Sequence, residues 1–393
     1  MGMGRRMSKG SYDGVFVVGA AQSAYAKNTD KSLHRLLWEA LHGAVKSAHL
    51  TWRQIDGLGV SSFSLPPDNV TTLAEHFGFE ARWLFQGLYG GASGIINMLH
   101  AARAIQAGDA EVVACLAGDI FDTVAHNELI DRFNGSLRDY MAPYGFGAAN
   151  GVFALHTRLY MEKYGTTRKD FGSLAVAQRQ NALRNPNAVF YGKPLTLEDY
   201  LNARPIADPL RLFDCVHPCA GADCVILASE DVAKGLDVPL VQILGGGEMH
   251  NYPANDIYSL RAGWEAFRDR MYDQAGLSPQ DMEFAQLYDD YPVMEFIQLE
   301  GLAICSEGDV ARFMCNTDTT VDGDFPINTG GGQLSAGQAG ASGGMIGVVE
   351  AVQQLRGEAG ERQFSCRRGL VSGYGMVAYG RGLSSSAAIL GRA

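Results

Sequence analysis

Gly91-Ala92-Ser93-Gly94 runs into Ile95-Ile96-Asn97-Met98-Leu99-His100-Ala101-Ala102. The same four-residue word returns as Gly340-Ala341-Ser342-Gly343, ahead of Gly344-Met345-Ile346-Gly347-Val348-Val349-Glu350-Ala351-Val352. Small residues before an apolar run read as a tight turn opening a helix, with free N–H groups and a backbone that a ligand can approach closely. Each run ends in a break, Gly108-Asp109 or Gly357-Glu358, followed by a strand at 112–116 or 369–372. Taken alone, either word is a strand-to-helix turn and no more. The surroundings repeat as well, with Leu50-Thr51-Trp52-Arg53-Gln54-Ile55-Asp56-Gly57-Leu58 before the first copy and Leu277-Ser278-Pro279-Gln280-Asp281-Met282-Glu283-Phe284-Ala285 before the second. Two related halves, each alternating strand and helix, account for both.

Outward from these words, residues 1–12 read as a loose start and 15–19 as a buried strand ending in the turn Ala20-Ala21-Gln22-Ser23. Leu33, Leu36, Leu37, Ala40, Leu41 and Val45 keep helical spacing, 57–61 is a strand, and Asn69-Val70-Thr71 starts a short helix. Residues 119–222 break the repeat and read as an insertion with helices near 153–163 and 169–181, the kind of excursion that covers a substrate. A strand at 224–228 closes the first half. The second half holds a strand at 241–244, a helix near 261–275, a strand at 284–287, a helix near 293–302 and a last strand at 387–390. The division is therefore 1–118 with 223–237 as the N-terminal half, 119–222 as the substrate-covering insertion, and 238–393 as the C-terminal half.

Composition narrows the class. With 393 residues, 19% charged, 47% hydrophobic and 48 glycines, the chain can bury a large core and has the profile of a Gly-rich α/β enzyme. A net charge of −11 argues against nucleic acid as a partner, and no apolar run reaches the length of a membrane span. Arg5-Arg6 is not followed by the apolar core of a signal peptide, and seven scattered cysteines suit a reducing cytoplasm. Cys215, Cys219 and Cys224 are close in sequence but form no C-x-x-C pair, so no metal is expected.

Five further stretches carry a resemblance. These are Tyr89-Gly90-Gly91-Ala92-Ser93-Gly94, Pro209-Leu210-Arg211-Leu212-Phe213-Asp214, Leu287-Tyr288-Asp289-Asp290-Tyr291, Gly301 through Asp309, and Asn328-Thr329-Gly330-Gly331-Gly332-Gln333-Leu334. With the duplicated halves, they resemble the thiolase superfamily in its sterol-carrier and lipid-transfer-like branch. The resemblance implies two βαβαβ halves in a five-layered αβαβα body, a homodimer, and a coenzyme A thioester as substrate with no covalently bound cofactor. The family's nucleophilic cysteine is matched here by Gly91, its Gly-His-Pro turn by the shorter Gly337-Gln338-Ala339, and its second cysteine by nothing in Val371-Ser372-Gly373-Tyr374-Gly375. A covalent acyl-enzyme is excluded on that reading.

The cysteine-less relatives with a matching Tyr-Gly-rich turn and Tyr-Asp pair are steroid side-chain aldolases. They imply retro-aldol cleavage of a β-hydroxyacyl-CoA and a small OB-fold, zinc-ribbon partner. Their second catalytic tyrosine is missing from Ser335-Ala336-Gly337-Gln338-Ala339-Gly340. Such cleavage needs a base for the β-hydroxyl and donors for the enolate oxygen. Tyr288 is the expected base, Asp289 the group orienting its proton relay, and Gln338 a donor to the thioester oxygen. Backbone N–H groups at Gly91 and Gly375 are further oxyanion donors. Tyr374 is a stand-in for the missing phenol, His156 a weaker substrate contact, and Gly340 with Ser342 form the coenzyme A side. A catalytically silent acyl-CoA-binding subunit and a thiolase-like acyltransferase remain as alternatives.

Overall fold

The computed structural model describes residues 10–131, 133–146 and 148–393, so most of the loose start expected at 1–12 lies outside the described residues. Ser11 and Tyr12 are described and buried, not loose, with the Arg103 guanidinium 3.7 Å from the Tyr12 ring centroid.

The first half comprises β1 (Val15–Gln22), α1 (Leu33–Ser47), β2 (Gly57–Ser61), α2 (Val70–Phe77), β3 (Trp83–Gln86), α3 (Ser93–Ala107) and β4 (Val112–Ile120). Then come α4 (Thr123–Asp131), α5 (Ala148–Tyr164), α6 (Arg168–Ala182), α7 (Leu197–Asn202) and the two short strands β5 (Pro205–Ala207) and β6 (Leu210–Arg211). After β7 (Ala220–Ser229) and α8 (Glu230–Ala233), the second half runs β8 (Val241–His250), α9 (Trp264–Ala275), β9 (Ala285–Gln286), α10 (Pro292–Gly301), α11 (Val310–Asn316), α12 (Gly332–Ala336), α13 (Ile346–Arg356), β10 (Arg368–Ala378) and β11 (Arg381–Arg392).

Nine strands form one sheet in the order β3-β2-β4-β7-β1-β8-β11-β10-β9. The order is a mirrored duplication: β2, β4, β7 and β1 on one side answer β9, β10, β11 and β8 on the other, joined where β1 pairs antiparallel with β8. Strand alternation builds the layers. On β4, Val112, Ala114 and Leu116 face the core with α1 and α2, while Val113, Cys115 and Ala117 face the core with α3 and α13. On β11, Ala388 and Leu390 share that central core, while Ala387 and Ile389 face α9 and α10. Helices therefore cover both faces of each half, and the central layer of α3 and α13 gives the αβαβα arrangement; strands buried on both faces read as unbroken apolar runs. Helix α1 begins at Ser32, whose Oγ accepts from the Arg35 N–H at 3.2 Å, and buries the stripe read from its spacing.

Two local readings change. The turn expected at Ala20–Ser23 is strand as far as Gln22, because Ala20, Ala21 and Gln22 pair with Val225, Cys224 and Asp223. Its small residues serve close packing: a Cβ on Gly19 would collide with the Ala44 carbonyl of α1. Likewise Gly373, Tyr374 and Gly375 lie inside β10 and not in a turn. A Cβ on Gly373 would strike the Gly91 carbonyl, and one on Gly375 the Tyr89 carbonyl, so these glycines let the strand press against the first small-residue turn.

Candidate active site

Tyr288 follows β9 and is clamped before its side chain is considered. Its N–H donates to Gln298 Oε1 at 3.0 Å, and Gln298 Nε2 donates back to its carbonyl at 2.6 Å. The Leu287 N–H donates to Asn328 Oδ1 at 2.7 Å. Clamped this way, the phenol ring lies directly over Gly91, where any Cβ would fall inside the ring.

Residues 288, 289 and 290 then alternate. Tyr288 Oη donates to Asp290 Oδ2 at 2.7 Å, and Gln338 Nε2 donates to Asp290 Oδ1 at 3.0 Å. The Gln333 amide, oriented so that both ends are paired, donates to the same Oδ1 at 3.0 Å and accepts from the Asp289 N–H at 3.1 Å. Burial pushes the Asp290 carboxyl up to about 6 against the lowering pull of these donors. Burial, then the Asp290 charge and hydrogen bond, push the Tyr288 phenol well above its ordinary value, so it rests protonated.

The structure thus pairs Tyr288 with Asp290 and corrects the expectation for Asp289. The Asp289 carboxylate faces the other way and accepts from the N–H groups of Gln333 at 2.8 Å and Leu334 at 3.1 Å at the start of α12; burial raises it to about 7. Asp290 was missed, although two-residue alternation past a strand end puts it on the side of Tyr288.

Gln338 is held through its backbone, donating to the His217 carbonyl at 3.0 Å and accepting from the Cys219 N–H at 3.0 Å. One hydrogen of its amide nitrogen is held by Asp290, and the other is left for the expected donation to a thioester. Its Oε1 is buried and has no hydrogen-bond partner among the described residues.

A cavity opens over this cluster. Tyr288, Asp290, Gln338, Gly91, Gly340 and Gly375 line its floor, and Phe63, Leu129, Ile130, Phe133 and Phe153 its apolar walls. The Tyr374 ring is also wall, but its hydroxyl accepts from the Gly382 N–H at 2.6 Å across the β10–β11 hairpin. That bond holds the oxygen of the phenol expected as a stand-in at the hairpin, and burial raises the phenol to about 12.

Besides Asp289, two expected residues lie outside the cavity lining. His156 Nε2 meets the Ser259 carbonyl at 3.1 Å, and burial lowers the ring to about 4. Ser342 donates to the Ala117 carbonyl at 3.0 Å and to Asp223 Oδ2, leaving its hydroxyl no part in the cavity.

A second, open groove adjoins the cavity, and Lys27, Arg179 and Arg204 are among its lining residues. Arg179 is buried beneath it, stacked 4.3 Å from the Phe190 ring centroid, with Nε donating to Ser335 Oγ at 2.8 Å and no carboxylate partner among the described residues. Burial lowers it to about 10, a cost that an anion in the groove would relieve. His126, on α4, lines both spaces. Sequence gave no signal for it, because α4 carries no periodic pattern or motif.

Set beside known proteins, residues 254–392 match the family described as thiolase C-terminal domain-like. The chain belongs to the thiolase superfamily. It is 34% identical to 17-hydroxy-3-oxo-4-pregnene-20-carboxyl-CoA lyase of Mycobacterium tuberculosis, covering 87% of this chain and 91% of that one. It is 30% identical to the steroid side-chain-cleaving aldolase of Thermomonospora curvata, covering 95% and 97%. A solved structure described as the Ltp2-ChsH2(DUF35) aldolase superposes with a TM-score of 0.83 at 29% identity, over 98% of each chain. These relatives are named as lyase and aldolase, not as conventional thiolases. Among the described residues no helix is long and apolar enough to cross a membrane.

Proposed function

We propose that this chain is an acyl-CoA carbon–carbon lyase that cleaves a β-hydroxyacyl-CoA by retro-aldol reaction without an acyl-enzyme. The observation that carries this is the Tyr288 ring lying over Gly91 with its hydroxyl on Asp290. The space a nucleophilic thiol would need is filled by a phenol, and the phenol is wired to a proton acceptor. A protonated tyrosine is not itself a base. It takes the β-hydroxyl proton while passing its own to Asp290, whose carboxyl near 6 is mostly ionised at neutral pH. The Cα–Cβ electron pair then moves into the thioester, where the N–H groups of Gly91 and Gly375 are the proposed donors to the enolate oxygen.

The apolar lining of the cavity suits the hydrocarbon part of an acyl group, and the relatives' names specify steroid substrates. The Lys27, Arg179 and Arg204 groove suits the phosphates of coenzyme A. The thioester then sits where the two spaces meet. A homodimer fits the edge strand β3, unpaired on one side with Leu84 and Leu88 exposed nearby. A small OB-fold, zinc-ribbon partner is proposed from the DUF35 protein in the description of the similar aldolase.

The test is co-expression with such a partner and incubation with a panel of β-hydroxyacyl-CoAs. Release of a ketone or aldehyde with a shortened acyl-CoA, reduced on the order of a thousandfold in Tyr288→Phe at unchanged thioester affinity, supports the reading. Tight binding without turnover across the panel would replace it with a silent subunit.

A further inference from the structure

Retro-aldol cleavage moves two protons: one leaves the β-hydroxyl, and one must reach the α-carbon once the bond has broken. The Tyr288–Asp290 pair accounts for the first. For the second, the Tyr374 oxygen is held at the Gly382 N–H of the β10–β11 hairpin, and Ser342 lies outside the cavity lining beside Asp223.

We propose that His126 exchanges the proton at the α-carbon. Among the described residues it alone lines both the apolar cavity and the basic groove, so a substrate spanning the two places its thioester and α-carbon against the imidazole. The second observation is the Gln338 amide. Gln338 Oε1 is a buried acceptor without a hydrogen-bond partner among the described residues, and His126 and Gln338 line the same cavity, where the amide acts on the imidazole. A small rotation lets one ring N–H donate to Oε1. That fixes the tautomer and leaves the other nitrogen facing the α-carbon. The Phe121 ring packs edge-on against the imidazole, with centroids 6.0 Å apart at 81°, and holds the ring plane. Burial lowers the ring below its ordinary value, keeping the free base well populated.

The step balances. In cleavage, the hydroxyl proton passes to Tyr288 as the Tyr288 proton passes to Asp290. The Cα–Cβ bond breaks, its pair forms the enolate, and Cβ–O becomes a carbonyl. A Cα–H bond forms as the imidazolium N–H breaks. Water in the groove reprotonates His126 and takes the proton from Asp290. In the reverse direction, neutral His126 removes the α-proton of the shortened acyl-CoA.

This inference rests on the lyase reading, but it can be tested without the natural substrate. The co-expressed complex is incubated with acetyl-CoA and propionyl-CoA in D₂O, and deuterium at the α-carbon is followed by mass spectrometry. Wild type should incorporate deuterium. His126→Asn should exchange on the order of a hundredfold more slowly at unchanged thioester affinity, Gln338→Leu on the order of tenfold more slowly, and Tyr288→Phe within a few-fold of wild type. No exchange by wild type, exchange in His126→Asn within about threefold of wild type, or loss in Tyr288→Phe as deep as in His126→Asn, each overturns the proposal. Should His126→Asn fail to fold, the ratio of Gln338→Leu to Tyr288→Phe carries the decision. Cleavage of the panel with no dependence on His126 leaves the lyase standing and removes this role. His126-dependent exchange with no cleavage does the reverse.

Discussion

The two copies of the Gly-Ala-Ser-Gly word lie back to back where the halves meet, yet they are anchored differently. In the first, Ser93 stays local: its Oγ accepts from the Tyr89 N–H at 2.8 Å. In the second, Ser342 reaches out to Asp223, while the Ala341 N–H donates to Asp119 Oδ2 at 2.8 Å. Asp119 also accepts from Ser62, Phe63 and Ser64, so the second turn is tied through buried carboxylates to β4, β7 and the loop after β2. The first turn is bonded to no carboxylate among the described residues; its Ala92 carbonyl accepts from Ser386 Oγ of β11 at 3.1 Å, and its Gly91 meets the Tyr288 ring. The same word serves once as the seat of the Tyr288 ring and once as a rivet. Local sequence cannot separate the uses, because the difference lies in what approaches from elsewhere in the chain.

Breaking both turns at once should have the largest effect. A Cβ on Gly94 would meet the backbone of Gly344 and Met345, where neither side can yield. Gly94→Ala should therefore cost about 3 kcal/mol or more, seen as a collapse of the denaturation midpoint or loss of folded protein. Gly91→Ala isolates the first turn. There the obstacle is a side-chain ring that can swing away, so the fold should survive while cleavage falls on the order of a hundredfold.

Asp290→Asn sharpens the same side. The carboxyl must be ionised to accept the relayed proton, so wild-type kcat should rise with pH through about 6 and level off. The variant should be slow and lack that acid limb.

Ser342→Ala isolates the second turn. It removes a donor from a buried carboxylate and should lower stability by about 1–2 kcal/mol in a denaturant titration, with thioester affinity unchanged. The smallest effect is on the pH dependence of folding. Asp119 and Asp223 have folded values near 6, above the ordinary 3.8, because burial disfavours their charge. Groups raised on folding contribute stability at low pH and lose it as pH rises through about 6. Asp223→Asn should flatten the decline in stability between pH 5 and 7.

The duplicated architecture was readable because strands buried on both faces give apolar runs and the paired turns repeat with their surroundings. The end of β1 and the length of β10 were misread for one reason. At Gly19, Gly373 and Gly375, glycine marks another backbone pressing on a strand, and a sequence shows the missing side chain without the neighbour. Tyr288 was picked out by the Tyr-Asp pair of the resemblance, and it follows β9 in the structure. Its partner was not taken from alternation, and Asp289, adjacent in sequence, is a cap for α12 instead. His126 comes to the cavity only through the fold of residues 119–222, and the Tyr374 oxygen is held by a hairpin N–H eight residues on.

The contact between Gly91 and Tyr288 also bears on how such a site can change over evolutionary time. A side chain at 91 and the phenol at 288 claim the same volume. A cysteine introduced at 91 alone would displace the tyrosine without a histidine to activate it, and removing the tyrosine alone would leave neither chemistry. Covalent and non-covalent catalysis are thus separated on this scaffold by a valley that no single substitution crosses. Drift at either position is held in check by the other.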